Sequence, residues 1–224
     1  MRIIDLSPGV PHGFKGPPST DVGVQLDVRI KPGYWQSSQA GMSLHTGCHV
    51  ESALHSIEDG ESIDQVDLER VIGSAVVLDL TPVEAEQLID SAALERAERV
   101  LHRQRESLRE GDILLLRTDW SNRAIGTLDY FQRSPALTED AAKWLVDKRP
   151  KSIGCDFFEE PAARRPDWTA EEFVVHRAIL GAEIPLIEGI VNLAELHGRC
   201  QFFAPFYKFV GIEAAPARAF AIMQ

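Results

Sequence analysis

Hydrophobic and polar residues follow patterns along this chain that predict strands alternating with helices. Residues 2–6 are mostly apolar and are followed by Ser7-Pro8-Gly9, which predicts a strand that ends in a turn. Residues 22–30 carry apolar side chains at every second position, the pattern of a half-buried strand. Further strands are predicted at 73–80, 112–117, 152–156 and 184–191, and the apolar C-terminal part, 202–222, is expected to be rich in strands.

Three segments are typical of helices. Residues 91–108 combine alanine, leucine, glutamate and arginine, which predicts a surface helix. Residues 138–146 begin with a threonine that can cap the first turn, and two acidic residues follow it at the positive end of the helix dipole. In residues 169–180, Thr169 provides a cap, and Gly181 follows as an end signal.

The composition is that of one globular domain. The chain has 224 residues, of which 44% are hydrophobic and 25% charged, and no repeat or linker divides it. Because strands alternate with helices, we expect a single α/β domain over residues 1–224. The formal net charge of −11 argues against nucleic acid and anionic membranes as partners. It says little about a small substrate, because a bound metal can invert the local field.

Cysteine usage and the N-terminal segment favour a cytoplasmic protein. The three cysteines, at positions 48, 155 and 200, are odd in number and widely spaced, which indicates neither a disulfide framework nor a cysteine-based zinc site. A reducing compartment fits this usage. The first residues lack the pattern of a signal peptide, and no apolar run has the length of a membrane span.

A short histidine-rich segment carries the clearest chemical signal. Residues 43–55 contain His45, His49, Glu51 and His55, which are three of the seven histidines in the chain together with a carboxylate. Imidazole and carboxylate are the ligands that zinc and manganese accept in proteins. Nearby glycine allows a tight backbone that could direct these side chains to one point. We therefore interpret the segment as the core of a catalytic metal site.

Glu188 stands out because it lies inside the otherwise apolar segment 185–191. A buried carboxylate without a partner is costly, and a metal ion is one partner that removes the cost. His176 lies one predicted helix earlier, where a helix-turn-strand unit could bring it beside Glu188. Taken alone, either residue is better explained by a structural role, as a core histidine or as a glutamate that faces solvent or pairs with an arginine. Together with the histidine-rich segment, they favour a metal site.

These residues resemble a known family. His45-Thr-Gly-Cys-His49-Val-Glu51-Ser-Ala-Leu-His55 is similar to the HxGTHxDxPxH signature of the metal-dependent cyclase family, which includes bacterial kynurenine formamidase and isatin hydrolase. The later segment around His176 and Glu188, which continues to Asn192-Leu193, is similar to the same family. Asp5-Leu6-Ser7 and 215–218 are similar too, so the resemblance spans most of the chain.

The resemblance implies a swivelling β/β/α fold, a homo-oligomer of two or four chains, and one or two zinc or manganese ions per chain. By position, His45, His49 and Glu51 would hold the first metal. Glu51 could bridge to a second metal that His176 and Glu188 hold. His55 would be either a ligand of the second metal or a general base.

Three positions depart from the family pattern. Glu51 replaces aspartate and adds one methylene to a metal ligand, which leaves open whether one or two metals bind. Cys48 replaces threonine, either as a packing change or as a soft extra ligand. Ala53 replaces proline and loosens the loop slightly. The chain is thus expected to be a divergent member.

The expected function is hydrolysis of an amide, lactam or lactone bond in a small molecule by metal-activated water. An N-formyl arylamine or an isatin-like ring is the model substrate. Two alternatives stay open: a lyase or cyclase that acts through an enolate, and a metal-binding protein without turnover. Tyr34 and Trp35 could line a substrate pocket or serve as a loop anchor or oligomer contact, and Phe157 could line the pocket or pack in the core.

Overall fold

The computed structural model describes residues 1–20 and 23–223. Within that part of the chain the strands are β1 Arg2–Asp5, β2 Gln25–Lys31, β3 Trp35–Gly41, β4 His49–Glu51, β5 Ile72–Asp79, β6 Leu88–Ile89, β7 Ile113–Arg117, β8 Ala136–Leu137, β9 Ser152–Cys155, β10 Leu186–Glu188, β11 Arg199–Phe203, β12 Ala214–Pro216 and β13 Phe220–Met223. The α-helices are α1 Ser91–Arg103, α2 Trp120–Ala124, α3 Asp129–Gln132, α4 Glu139–Asp147 and α5 Val174–Leu180. None of the described helices is long and apolar enough to cross a membrane.

Nine of the described strands form one mixed sheet in the order β1-β13-β11-β5-β7-β9-β10-β4-β12. The central strands β5, β7, β9 and β10 are parallel, and the strands on both sides of them are antiparallel. Parallel neighbours need crossover connections. Here α1 lies between β5 and β7 along the chain, α4 between β7 and β9, and α5 between β9 and β10.

The centre of the sheet is buried on both faces. Along β7, Leu114 and Leu116 belong to the core that contains helix residues such as Leu94, whereas Ile113 and Leu115 belong to a second core on the other face. Side chains alternate between the two faces of a strand. A strand with two buried faces is apolar throughout, which explains the unbroken apolar segment that predicted this strand.

The predicted α/β class is confirmed, and most of the predicted strands and helices are present. The helix expected at 91–108 begins at Ser91 but ends at Arg103. The helix expected at 138–146 begins after Thr138, whose side chain accepts a hydrogen bond from the amide of Ala141. Local capping chemistry therefore located this boundary correctly.

The predicted helix 169–180 is divided in two, which corrects that prediction. Thr169 and Glu172 form a capping box around the single 3₁₀ turn Ala170–Glu172, and Phe173 then leaves helical geometry before α5 begins. The predicted strand 184–191 is also shorter than expected, because its pairing ends at β10 where Gly189 adopts a left-handed φ of 67°. Both interruptions lie beside the histidine and carboxylate side chains described below.

The predicted half-buried strand 22–30 is only partly correct. Its first residue, Val22, lies outside the described residues. The observed strand β2 pairs with β3 to form a two-stranded hairpin. Leu26, Val28 and Ile30 are 38%, 52% and 62% exposed in this chain, so the prediction of burial is wrong for the isolated chain. The alternating pattern found the strand, but no layer of the same chain covers its apolar face.

Candidate metal centre

The pairing of β4 with β10 brings the first three side chains together. Glu188 lies opposite His49, and Leu186 lies opposite Glu51. Because side chains alternate along a strand, His49, Glu51 and Glu188 project from the same face of the sheet, whereas Val50 and Ile187, the residues between them, pack in the core on the other face. Strand register alone thus places one imidazole beside two carboxylates.

Three imidazoles of the histidine-rich segment surround one oxygen of Glu51. The Oε1 atom of Glu51 lies 2.5 Å from Nδ1 of His45, 3.1 Å from Nε2 of His49 and 3.9 Å from Nε2 of His55. His45 precedes β4, and His55 ends the 3₁₀ turn Ala53–His55 that follows it. The segment therefore folds around the carboxylate at its centre.

His176, on α5, faces the other side of the cluster. Its Nε2 atom lies 3.5 Å from a carboxylate oxygen of Glu51, 3.5 Å from one of Glu159 and 3.5 Å from one of Glu188. Glu160 fixes the start of α5, because its Oε2 accepts hydrogen bonds from the amides of Val175 and His176. Glu51 contacts both sides, with Oε1 toward the three imidazoles and Oε2 toward His176. The extra methylene relative to aspartate is thus compatible with a bridging position.

Two glycines allow the close backbone contact that holds the two sides together. Gly47 and Gly189 both have left-handed φ angles, of 68° and 67°. A Cβ on Gly189 would lie 2.2 Å from the carbonyl oxygen of Gly47, so no other residue fits there. The same carbonyl lies 2.9 Å from Nδ1 of His49 and can accept a hydrogen bond from it, which directs Nε2 at Glu51 and Glu188.

The buried carboxylates are short of hydrogen-bond partners. Among the described residues, the buried carboxylate oxygens without a hydrogen-bond partner are Glu51 Oε2, Glu159 Oε1 and Oε2, Glu160 Oε1 and Glu188 Oε1. Four buried acidic side chains in one place are unfavourable without a compensating cation. This deficit is what a divalent cation would remove.

The spacing of the donor atoms also fits a divalent cation. Three groups of donors lie within 4.8 Å of one another: His45 with Glu51 and His55, His49 with Glu51 and Glu188, and Glu159 with His176 and Glu188. Donors on a tetrahedral ion with bonds of about 2.1 Å are roughly 3.4 Å apart. The separations of 3.1 to 3.6 Å around His49 and His176 are close to that value. The residues present therefore fit a metal ion.

The ionisation of the imidazoles reflects the surrounding carboxylates. Burial lowers the pKa of His45, but the charge of Glu51 and hydrogen bonds to Glu213 and Glu51 outweigh it and raise the pKa to about 10. Burial likewise opposes the shift at His176, yet the charge of Glu159 and the other carboxylates holds its pKa well above the usual range. For His55, burial dominates and lowers the pKa. His55 is thus the imidazole of these three that is most easily kept neutral.

The carboxylates differ in the same way. Burial raises the pKa of Glu51, but the nearby His55 and His45 outweigh it and hold that pKa well below its ordinary value. Burial, followed by the charge of Glu188, raises the pKa of Glu159 well above its ordinary value. Glu51 is therefore balanced by imidazoles, whereas Glu159 lacks sufficient positive charge nearby.

A cavity of about 330 Å³ opens onto these residues. Its ionisable lining consists of His45, Glu51, His55, His176, Glu188 and Glu213. Much of the remaining lining is aromatic: Phe131, Phe158, Trp168 and Phe173. The ring of Trp168 packs against Phe173 with centroids 4.5 Å apart, and Phe173 in turn lies 5.4 Å from His176. The cavity thus joins a polar, charged part to an aromatic part.

The six residues predicted as metal ligands all lie in this cluster. Their grouping differs in detail from the expectation, because His45 is grouped with His55 and His49 with Glu188, although His45 and His49 both contact Glu51. Cys48 lies in the core on the opposite face of the sheet, which agrees with the packing interpretation.

The predicted substrate-binding residues do not line the cavity of this chain. Phe157 is fully buried in the core, and its neighbour Phe158 lines the cavity instead. The prediction for Phe157 is therefore wrong by one position, because consecutive side chains of an extended segment point to opposite sides. Tyr34 and Trp35 lie at the turn of the β2–β3 hairpin and are 79% and 55% exposed.

Three acidic residues of the site were not predicted from the sequence: Glu159, Glu160 and Glu213. Glu159 and Glu160 follow the apolar β9 and two phenylalanines, which is the same signal that singled out Glu188. Glu213 hydrogen-bonds through Oε1 to Nε2 of His45 at 3.1 Å and carried no comparable signal, since it precedes β12 in a mixed segment.

Comparison with known proteins places this geometry in a family. The family model described as "Putative cyclase" matches residues 4–159. The kynurenine formamidase of Erythrobacter litoralis is 29% identical over 224 residues, covering 97% of this chain and 92% of that protein. The kynurenine formamidase of Salinibacter ruber is 28% identical and covers 80% of this chain and 76% of that protein.

Solved structures share the fold. Isatin hydrolase A from Labrenzia aggregata, bound to benzyl benzoate, superposes with a TM-score of 0.79 at 20% identity over 98% of this chain and 93% of that one. An isatin hydrolase bound to the product analogue thioisatinate gives a TM-score of 0.80 at 18% identity over 99% and 92% of the two chains. These likenesses confirm the predicted fold class. Because the family model covers well over half of its length, the chain belongs to the cyclase family.

Proposed function

We propose that the protein is a metal-dependent hydrolase that cleaves an amide, lactam or lactone bond of a small molecule. The observation that carries the proposal is the convergence of four imidazoles and three buried carboxylates beside a cavity. The names of the relatives, kynurenine formamidase and isatin hydrolase, support hydrolysis of a carbon–nitrogen bond other than a peptide bond.

His45, His49 and Glu51 would hold one divalent cation, and His176 and Glu188 a second, with Glu51 between them. A cation bound there supplies Lewis acidity, which acidifies a water molecule and polarises a carbonyl group. Zinc and manganese both accept this mixture of imidazole and carboxylate, so either ion fits the proposal.

His55 is the proposed general base. It lines the cavity, and its Nε2 lies 3.9 Å from Glu51. Because burial lowers its pKa, it is neutral near pH 7 and can accept a proton from the attacking water. It can then donate that proton to the departing nitrogen or oxygen. The same position would also allow His55 to bind a metal. The His55→Ala variant separates the two roles, because loss of a base lowers turnover alone and loss of a ligand lowers metal content as well.

The aromatic part of the cavity favours a planar substrate. Phe131, Phe158, Trp168 and Phe173 offer ring faces and edges beside the charged cluster. An aryl group packed there would direct an adjacent formamide or lactam carbonyl toward His45 and His55. N-formyl arylamines and isatin-like lactams are therefore the first substrates to assay.

The test is turnover by protein loaded with zinc or manganese on a panel of formyl arylamines, cyclic amides and lactones in oxygen-18 water. A hydrolase places the label in the new carboxylate. Product without label would instead support a lyase or cyclase that acts through an enolate. No turnover across the panel by metal-loaded protein would favour the metal-binding protein without catalysis.

We also propose that the protein forms a homo-oligomer of two or four chains and acts in the cytoplasm. The apolar side chains of the β2–β3 hairpin, Leu26, Val28 and Ile30, support self-association because a second copy would remove them from water. Light scattering of wild type and of Val28→Asp tests the assembly, which should become smaller in the variant.

All three cysteines are free thiols, which supports a reducing compartment, and cell fractionation tests that location.

A further inference from the structure

We propose that Glu159 is a ligand of the second metal position, which therefore has three carboxylates and one imidazole. The inference rests on the proposed metal-dependent function and extends it to a residue outside the family signature. It assigns to the second position Glu51, Glu159, Glu188 and His176. The first position keeps the imidazoles of the histidine-rich segment.

The position of Glu159 is the first support. It follows β9, which pairs in parallel with β10, so the chain enters the site beside Glu188. The carbonyl of Glu159 accepts a hydrogen bond from the amide of Leu137, and the amide of Phe158 donates to Ser134. Neighbouring elements thus hold the backbone on both sides of the residue. Its Oε1 lies 3.5 Å from Nε2 of His176, the same distance as the oxygens of Glu51 and Glu188.

The lack of partners is the second and independent support. Glu159 is completely buried, and neither of its carboxylate oxygens has a hydrogen-bond partner among the described residues. The adjacent Glu160 is equally buried, but its Oε2 accepts hydrogen bonds from the amides of Val175 and His176 and lies 3.4 Å from Nδ1 of His176, so it positions that imidazole. A fully buried carboxyl group without a hydrogen-bond partner, one oxygen of which lies beside the other donors, is stabilised by a cation bound among them.

The ligand set has a consequence for metal choice. Oxygen donors suit harder divalent ions such as manganese, whereas imidazole-rich sets suit zinc. Loss of Glu159 should therefore weaken manganese binding at the second position more than zinc binding. The first position contains no atom of Glu159 and should keep its affinity for both ions.

The experiment compares wild type, Glu159→Gln and Glu160→Gln, each stripped of metal and titrated separately with manganese and zinc by calorimetry and elemental analysis. Both variants replace a buried carboxyl group by an amide at adjacent positions, but only the first removes a proposed ligand. Wild type should bind two equivalents. Glu159→Gln should lose the second manganese equivalent or bind it at least about 10-fold more weakly. Glu160→Gln should keep two equivalents, because the amide oxygen of glutamine can still accept the hydrogen bonds that position His176.

Thermal unfolding separates ligand loss from misfolding. Removal of an uncompensated carboxylate should raise or preserve the Tm of metal-free Glu159→Gln, while the increase in Tm caused by manganese becomes smaller. Two equivalents of unchanged affinity in Glu159→Gln would overturn the inference, as would an equal loss in Glu160→Gln. If Glu159→Gln does not fold, Glu159→Asp, which retains the charge, must bind manganese more weakly than wild type. Wild type that binds no metal would reject the proposed function itself.

Discussion

The two sides of the candidate metal centre differ in chemistry and in origin. The histidine-rich group, His45, His49 and His55 around Glu51, comes from one segment of eleven residues. The carboxylate-rich group, Glu159, His176 and Glu188, comes from the end of β9, from α5 and from β10. The carboxylate of the first group is balanced by the imidazoles around it, whereas the second group has more acidic side chains than its single imidazole can balance. A pair of metal ions at such a site would meet two different environments.

Glu51 joins the two groups, so its removal should have the largest effect. Glu51→Gln keeps the size of the side chain but removes the charge that faces His45 on one side and His176 on the other. Both metal positions should weaken by more than about 100-fold, and turnover should fall to background. Metal content and kcat/KM measure this. Glu213→Gln is the control, because Glu213 touches only His45 among the proposed ligands, and retention of metal by Glu51→Gln would contradict the bridging position.

His55→Ala tests whether the histidine-rich group contributes chemistry as well as ligands. A general base contributes roughly 10²- to 10⁴-fold to the rate, so kcat should fall by that amount while metal content stays near the wild-type value. Elemental analysis and single-turnover kinetics give the two values. Equal losses of metal and turnover would show that His55 is a ligand.

The histidine-rich group could be predicted from the sequence because its members are close along the chain. Alternation along β4 puts His49 and Glu51 on the same face without any information from the rest of the fold. The strands and capped helices followed from equally local signals, as at Thr138. The carboxylate-rich group depends on which strands are neighbours, and the position of Glu159 beside His176 could not be inferred from its surroundings in the sequence.

The exposure of the β2–β3 hairpin was not predicted, for a related reason. Its alternating pattern indicates that one face of β2 is covered, but the pattern does not say whether the same chain or another one covers it. The division of 169–180 at Phe173 depends likewise on a distant contact, since Glu160 caps the helix that begins at Val174. Local patterns identified the elements, and tertiary contacts decided their limits.

Both groups should release protons when they bind metal. Without metal, His45 has a pKa of about 10 and His176 a pKa well above its usual range, so both carry a proton at pH 7. Ligation needs the neutral imidazole, so each of these ligands releases one proton. Metal affinity should therefore rise up to about 10-fold per pH unit for each proton released between pH 6 and 8. Calorimetry in two buffers of different ionisation enthalpy counts the protons, and a pH-independent affinity would contradict this charge assignment.

The contact between the groups can be broken at Gly189. In Gly189→Ala, the alanine would have to keep the left-handed φ of the glycine, and its Cβ would collide with the carbonyl of Gly47. The variant should therefore be less stable by roughly 3 kcal/mol or more. Gly211 has a similar φ of 75°, but a Cβ there meets open space. Gly211→Ala should therefore cost only about 1 kcal/mol. Urea unfolding measures the loss of unfolding free energy in both variants, and the difference between the two losses is the effect of the Gly47–Gly189 contact. Equal losses would show that the contact has no effect on stability.

The smallest expected effect concerns substrate binding on the carboxylate-rich side. Trp168 packs on Phe173, and Phe173 packs on His176, so an aryl group in the cavity would lie against this side of the site. Trp168→Ala should raise KM for an aryl substrate about 2- to 10-fold, which corresponds to one lost aromatic contact, and should leave kcat nearly unchanged.

Trp35→Ala is the matched comparison, because it removes the same side chain from the turn of the exposed hairpin. In the proposed oligomer it should weaken self-association and leave KM of the assembled enzyme unchanged. A rise in KM for Trp35→Ala alone would reverse the assignment. The aryl group would then be bound by the hairpin of a second copy, and the aromatic lining around Trp168 would be packing for the carboxylate-rich group.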